Sequence, residues 1–359
     1  MQCAAIDLFC GVGGLTKGLE QAGINVVAGI DFEPSCRYAY EENNKARFIR
    51  RDITTVTAKE LLALYPKNAS IRVLAGCAPC QPFSKYTQRY RKEGYKDEKW
   101  KLLYSFGKLA AEIKPEIIAM ENVPELEKTE VFLDFTNELK KNEYDVAYKV
   151  IYCPDYGVPQ SRKRLVLLAS RLGKIGLVPA THTPQNYVTV RDAIGDLPPL
   201  VAGSTDPNDL MHTATMLSEK NIQRIKQSVP GGTWRDWNKE LQLKCHKKTS
   251  GKTYPSVYGR MCWDMPSPTI TTQFYGYGNG RFGHPEQNRA LSLREGAILQ
   301  SFPKDYKFIS STSILNKHQL GLQIGNAVPV KLGQAIGISI IEHIRRYSNE
   351  KTEVIGRTD

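Results

Sequence analysis

Over the first 170 residues, short apolar runs alternate with amphipathic stretches, and no other feature of the chain limits its fold as strongly. Residues 4–9, 26–30, 71–75, 116–120, 144–151 and 165–169 are the apolar runs. Between them lie helical patterns, the clearest being Leu102, Phe106, Leu109, Ala110 and Ile113, spaced for one face of a helix. Strands that alternate with helices predict an α/β fold with a largely parallel sheet. In such sheets ligands bind beyond the carboxyl ends of the strands, so the residues just after each apolar run are the place to look for chemistry.

Those positions hold distinctive residues. Phe9-Cys10-Gly11-Val12-Gly13-Gly14 follows the first run, where glycines let the backbone turn tightly and approach a cofactor. The spacing departs from the dinucleotide fingerprint, because Thr16 stands where a third glycine belongs. Asp31 closes the second run and is placed to accept hydrogen bonds from ribose hydroxyls; Asp52 follows a further short apolar patch between the runs at 26–30 and 71–75 and could accept from an adenine amino group. A helix cap or surface acid explains either one taken singly. Pro79-Cys80-Gln81-Pro82 follows the run at 71–75, and two prolines around one thiol suit a nucleophile held at attack distance. Glu121-Asn122-Val123-Pro124 follows the run at 116–120; burial there raises a carboxyl pKa, which suits a proton or hydrogen-bond donor near neutral pH. Arg162 and Arg164, before the last run, could pair with a carboxylate or phosphate.

Beyond residue 171 Pro, Gly, Thr and Asn rise and periodicity fades until about residue 288. Residues 220–260 hold ten Lys and Arg against Asp236 and Glu240, and so carry most of the net charge of +12. Trp234, Trp237, Tyr254 and Tyr258 are interleaved, which predicts a DNA-contacting surface rather than a solvated charged face. Residues 292–300 and 330–346 read as helices. No apolar run reaches the length of a membrane span, and the N-terminus lacks a signal-peptide pattern. The eight cysteines are expected as reduced thiols. Cys77 and Cys80 have CxxC spacing, but Cys245 and Cys262 lack ligand spacing to complete a zinc site, so no metal is expected.

Taken together the motifs resemble those of the DNA cytosine-5 methyltransferases, of the prokaryotic modification type. The resemblance runs in order from Asp7-Leu8-Phe9-Cys10-Gly11-Val12-Gly13-Gly14 through Pro79-Cys80-Gln81, Glu121-Asn122-Val123 and Gln160-x-Arg162-x-Arg164. It continues through Arg289-Ala290-Leu291-Ser292-Leu293-Arg294-Glu295 and Leu299-Gln300-Ser301-Phe302-Pro303 to Gly325-Asn326-Ala327-Val328-Pro329. It implies the methyltransferase fold that binds S-adenosylmethionine (SAM), a mostly parallel doubly wound sheet, with an inserted, smaller, loop-rich target-recognition domain. The expected ranges are 1–178 and 318–348 for catalysis, 179–317 for recognition and its hinge, and 349–359 as a flexible tail.

The resemblance also implies roles. Cys80 matches the nucleophile, Glu121 the residue contacting ring nitrogen 3 and the exocyclic amine, and Arg162 and Arg164 the arginines that steady base and site. Phe9, Asp31, Phe32, Asp52, Ile53, Leu102, Asn326 and Val328 match positions around SAM, with Gly11, Gly13 and Pro79 shaping the loops. DNA contacts are expected from Ser84, Lys85, Arg89 and Arg91 after the nucleophile, from Lys244, Lys247, Lys248 and Arg260, and from Thr271 and Gln273 in the threonine-containing element. Methyl transfer to a flipped-out cytosine, release of S-adenosylhomocysteine, double-stranded DNA as partner, a possible cognate restriction endonuclease, a monomer and a cytoplasmic, nucleoid-associated location follow as expectations. The chain departs from the family pattern at Lys99-Trp100, where Arg-Gly is common, and at Cys77-Ala78, where glycine or proline pairings are usual. Three alternatives remain at this stage. A tRNA cytosine-5 methyltransferase would usually carry a Cys-Phe-Thr element, which is absent. A non-catalytic regulator sits poorly with an intact Cys80 and Glu121. A Rossmann or CxxC redox protein sits poorly with the missing glycine.

Overall fold

The computed structural model describes residues 2–79, 101–249 and 251–355. It divides into two compact units, Met1–Tyr152 with Lys163–Ala180 and Val328–Asp359, and Cys153–Arg162 with Thr181–Ala327.

The first unit is built on a sheet ordered β3-β2-β1-β4-β5-β8-β6. Its strands are β1 (Cys3–Leu8), β2 (Asn25–Asp31), β3 (Arg47–Arg50), β4 (Ile71–Gly76), β5 (Ile117–Asn122), β6 (Asp145–Tyr152) and β8 (Lys163–Ser170). The first five pair in parallel, and β8 runs antiparallel between β5 and β6. β1 is buried from Ala4 to Leu8 and β5 throughout, as central strands covered on both faces must be. The helices are α1 (Gly14–Gln21), α2 (Arg37–Asn43), α3 (Ala58–Leu64), α4 (Lys101–Ile113), α5 (Glu130–Lys141) and α10 (Val330–Ile355). On α4 the buried stripe starts at Leu103 and continues through Phe106, Leu109, Ala110 and Ile113, with Leu102 only partly buried. Phe106 tilts against Phe135 of α5 at 5.5 Å in the same core.

The C-terminal helix α10 packs on α1 at backbone contact. A Cβ on Gly18 would lie 2.4 Å from Val330 O and Gln334 N, and one on Gly337 would lie 2.5 Å from Ala22 Cβ. The expected tail from 349 is helical as far as Ile355, because no glycine or proline interrupts the chain before Gly356. Lys317–Lys351 contains an 18-residue window apolar enough to cross a membrane by composition, but 67% of that window is buried within the protein, as in a core helix.

The second unit has little regular structure. β7 (Gln160–Ser161) pairs in parallel with β11 (Ser267–Pro268), and β9 (Thr205–Asp206) pairs antiparallel with β10 (Asp209–Thr213). The helices here are α6 (Val190–Ile194), α7 (Glu219–Gln227), α8 (Leu293–Leu299) and α9 (Lys317–Asn326). Buried ion pairs and guanidinium–carbonyl bonds replace much of the apolar core. Arg289 places Nη1 and Nη2 each 2.7 Å from a Glu295 oxygen, both side chains being 1% exposed. Ser292 caps α8 and forms a reciprocal box with Glu295. The unit boundaries differ from the expected ranges. Residues 153–162 go with the second unit, because Gln160 and Arg162 bond to Ile270, Leu299, Gln300 and Gly325. Residues 318–327 join it as part of α9.

Candidate active site

The parallel strands of the first unit end on one edge of the sheet, and the motif residues stand there. After β1, Phe9 adopts φ 61°, a left-handed conformation that costs a bulky residue free energy, while its amide donates to Ile30 O at 2.8 Å. Gly11 and Gly13 also have positive φ, and Gly13 caps α1. At the end of β2, Asp31 Oδ2 accepts from Gly11 N–H and Oδ1 from Glu33 N–H, both at 2.9 Å. Burial raises the Asp31 carboxyl, and these amide bonds offset the rise only in part. Phe32 beside it is 67% exposed. After β3, Asp52 Oδ1 accepts from the Thr54 amide and hydroxyl, and Ile53 is buried. Below the glycine loop Thr16 donates to Asp7 Oδ2 at 2.7 Å and meets Tyr40 Oη at 3.0 Å. Burial pushes the Asp7 carboxyl up to about 7, Thr16 opposing this and the charge of Asp31 adding to it.

These residues fit SAM. A Cβ on Gly11 would meet nothing within 4 Å, so the loop opens onto space. Each Asp31 oxygen keeps a lone pair for a ribose hydroxyl after bonding one amide. The exposed Phe32 ring offers a face for a purine.

The next strand ends carry the reactive groups. Glu121, in β5, is buried, with Arg164 Nε of β8 2.7 Å from Oε1 and Cys77 Sγ donating to Oε2 at 2.9 Å. The Arg164 contact is an ion pair, angled so that Oε1 gains no aligned hydrogen bond among the described residues. Burial raises the Glu121 carboxyl, only partly offset by the charge and close contact of Arg164 and by the Cys77 bond. Asn122 Nδ2 donates to Ala78 O at 2.9 Å, tying the loop after β4 to the end of β5. That loop continues through an exposed Pro79; Cys80, Ser84, Lys85, Arg89 and Arg91 lie outside the described residues.

Other expected site residues lie elsewhere. Arg162 is buried in the second unit, where its guanidinium donates to Gln160 Oε1, Ile270 O and Gly325 O. It clasps the segment before Thr271. Thr271 and Gln273 are exposed, as are Lys244, Lys247 and Lys248. Asn326 is exposed at the end of α9, whereas Val328 is buried. Arg260 corrects the charge-based expectation. It is 5% exposed and bonds to the carbonyls of Ile225, Ser228, His284 and Gln287 and to Asn288 Oδ1, so it is a structural clasp and not a DNA contact. The interleaved aromatics are corrected too: Trp234 and Trp237 are buried, with His246 stacked on Trp234 at 4.4 Å. Cys77 against Glu121 was not read from the sequence, because CxxC spacing points toward a metal or a disulfide. Its signal was the departure from glycine just before the nucleophile.

Residues 3–342 match the family described as C-5 cytosine-specific DNA methylase, and the chain belongs to that family. It is an enzyme, a DNA cytosine-5 methyltransferase, and the family and fold are SAM-dependent. Type II methylase M.HgiDII of Herpetosiphon aurantiacus is 55% identical over 340 residues, 94% of each chain. Type II methyltransferase M.Eco47II of Escherichia coli is 32% identical over 351 residues, covering 94% of this chain and 78% of that one. Among solved structures, the Entamoeba histolytica methyltransferase EhMeth shares the fold, with a TM-score of 0.65 at 17% identity over 96% of this chain and 99% of that one. A prophage-encoded protein of E. coli does so with a TM-score of 0.72 at 21% identity over 96% and 99%. These findings favour DNA over the tRNA alternative.

Proposed function

We propose that the enzyme methylates cytosine in duplex DNA through a covalent adduct on Cys80, with Glu121 as the group that contacts nitrogen 3 and the exocyclic amine. The observation that carries this reading is the buried Glu121 carboxyl, held up in pKa and fixed at the end of β5 beside the loop that leads to Cys80. Carbon 5 of cytosine is a poor nucleophile. Addition of the Cys80 thiolate to carbon 6, with a proton or hydrogen bond from Glu121 to nitrogen 3, turns the ring into an enamine. SAM, when bound, supplies a methyl group on a sulfonium, an electrophile that the enamine carbon can attack. Loss of the carbon 5 proton, elimination of Cys80 and return of the nitrogen 3 proton to Glu121 give 5-methylcytosine. Arg164 steadies the Glu121 carboxyl throughout.

In this reading Phe9, Gly11, Gly13, Asp31, Phe32, Asp52, Ile53, Pro79, Leu102, Asn326 and Val328 hold SAM. Asp31 takes the ribose hydroxyls and Phe32 stacks on the adenine. The second unit recognises the target, with Lys244, Lys247 and Lys248 on phosphates and Thr271 and Gln273 near the flipped base; Ser84, Lys85, Arg89 and Arg91 add contacts. The base must leave the stack, because the thiol cannot reach carbon 6 inside a duplex. The curated relatives are named as Type II enzymes, which supports a role beside a restriction endonuclease. In the same reading the enzyme works as a cytoplasmic monomer on the nucleoid.

The test is a duplex containing 5-fluorocytosine with SAM. Fluorine cannot leave as a proton does, so the wild-type chain should form an adduct that survives denaturation and maps to the peptide bearing Cys80. Cys80→Ser should form none, lose methyl transfer to background and still bind SAM. An adduct that persists in Cys80→Ser, or none in the wild type, overturns the reading.

A further inference from the structure

The loop after β4 carries a second thiol that this reaction scheme leaves unused. Cys77 stands three residues before Cys80. Its Sγ is 2.9 Å from Glu121 Oε2, on the far side of the carboxyl from Arg164, whose Nε is 2.7 Å from Oε1. The loop does not depend on that side chain for its anchorage. Cys77 N–H donates to Leu8 O at 3.3 Å, and Asn122 Nδ2 holds Ala78 O.

We propose that Cys77 is a positioning residue for methyl transfer: its thiol donates to Glu121 Oε2, fixes the carboxyl's orientation and makes it a stronger acid toward the cytosine ring. The proposal rests on the reading of Glu121 as the acid at nitrogen 3. A hydrogen bond to a carboxylate favours its charged form and opposes the effect of burial. The thiol is a reliable donor because it stays neutral. Burial, then the charge of Glu121 and the hydrogen bond to it, push its pKa well above the usual thiol range, with Arg164 opposing and Asp7 of β1 adding to the shift. Among the described residues, the charged and titratable groups facing Glu121 are Arg164 from β8 and Cys77 after β4. Without the donor, the Glu121 carboxyl titrates at higher pH and gives up its proton less readily.

The experiment compares pH profiles of kcat for the wild type, Cys77→Ala, Cys77→Ser and Glu121→Gln, and for the double variant Cys77→Ala/Glu121→Gln. The limb abolished by Glu121→Gln belongs to that carboxyl. In Cys77→Ala this limb should move upward by about one pH unit, the worth of one charge-assisted hydrogen bond. Turnover should fall roughly threefold to tenfold with little change in KM for SAM or DNA. Serine should restore both toward wild type, and Cys77→Ala should cost nothing further in the Glu121→Gln background. An unmoved limb overturns the proposal, as does an equal loss in the double variant. If Glu121→Gln retains full turnover, it is the reading of Glu121 that fails. Direct carboxyl titration by 13C NMR then still tests the contact, since Cys77→Ala must raise that pKa. Should the alanine variant fail to fold, the same titration on Cys77→Ser decides, an unchanged orientation and pKa relative to wild type supporting the donor role and a raised value overturning it.

Discussion

The two units solve the same problem with different materials. In the first, the core is written in apolar periodicity: strands such as β1 and β5 are buried from end to end, and α4 and α5 lay apolar faces against them. In the second, regular elements are short and the apolar clusters small, such as Leu217, Ile225, Tyr277 and Ala290, or Trp234, Trp237 and Leu241. Buried guanidiniums fill the gap. Arg162, Arg224, Arg260, Arg289 and Arg294 are each less than a tenth exposed, and each donates to loop carbonyls or to a paired acid. One guanidinium carries five donors in a rigid fork, so it can satisfy several carbonyls that no ladder reaches. The lesson concerns charge. A basic loop-rich segment uses part of its positive charge to hold itself together, and only the remainder is left exposed.

The sharpest test of this contrast is Glu295→Ala. It leaves Arg289 buried without its partner, which should cost about 3–5 kcal/mol, measured by thermal or urea unfolding of the second unit. The wild-type pair should also give that unit an acid dependence. Burial alone would raise the Glu295 carboxyl, but the Arg289 bonds and charge, with His284 and the Ser292 amide, bring it down to about 2 from 4.5. A depressed folded-state pKa stabilises above the unfolded value, and that stability is lost as pH falls from about 4.5 toward about 2, on the order of 3 kcal/mol in all. Calorimetry across that window should show the loss in the wild type and not in Glu295→Ala. A variant as stable as wild type would mean that the second unit does not depend on its buried charge.

The matching probe of the first unit is Gly18→Ala. The added methyl would meet backbone atoms of α10 at 2.4 Å, so α1 and α10 must part. Overpacking of this kind costs about 1–3 kcal/mol, and here it should be the same at pH 4 and pH 7, since no titrating pair is involved. A pH-dependent loss would blur the distinction between a core of shape and a core of charge.

What the sequence revealed follows the same division. Strands and strand-end residues of the first unit were legible because period and burial are local signals. Asp31 and Glu121 could be placed at the sheet edge from the apolar runs before them. The antiparallel β8 was not legible, since pairing direction depends on a connection that periodicity does not report. In the second unit composition misled. Arg260 and Lys247 look alike in a sequence, yet one guanidinium points inward to four carbonyls and one ammonium points to solvent. Trp234 and Trp237, whose spacing among the basic residues predicts a DNA-contacting surface, are inside because a unit with so little regular structure needs its largest apolar side chains for a core. Cys77 was visible only as an oddity, because a bond to Glu121 across 44 residues leaves no spacing signature.

The smallest effect on stability should come from the surface lysines, and there the comparison turns into a statement about DNA. Replacing Lys244, Lys247 and Lys248 together by alanine should change unfolding by less than about 0.5 kcal/mol per site, because all three are exposed and take no part in the guanidinium framework. It should instead weaken DNA binding at low salt and flatten the slope of log affinity against log salt by up to about 0.9 for each phosphate left without its ammonium partner. The measurement is a salt titration by fluorescence anisotropy on one duplex. The outcome separates the two uses of positive charge in one unit: a flattened slope at full stability makes these ammonium groups the outward remainder, whereas an unchanged slope would leave the second unit's DNA-binding groups to be sought around Thr271 and Gln273.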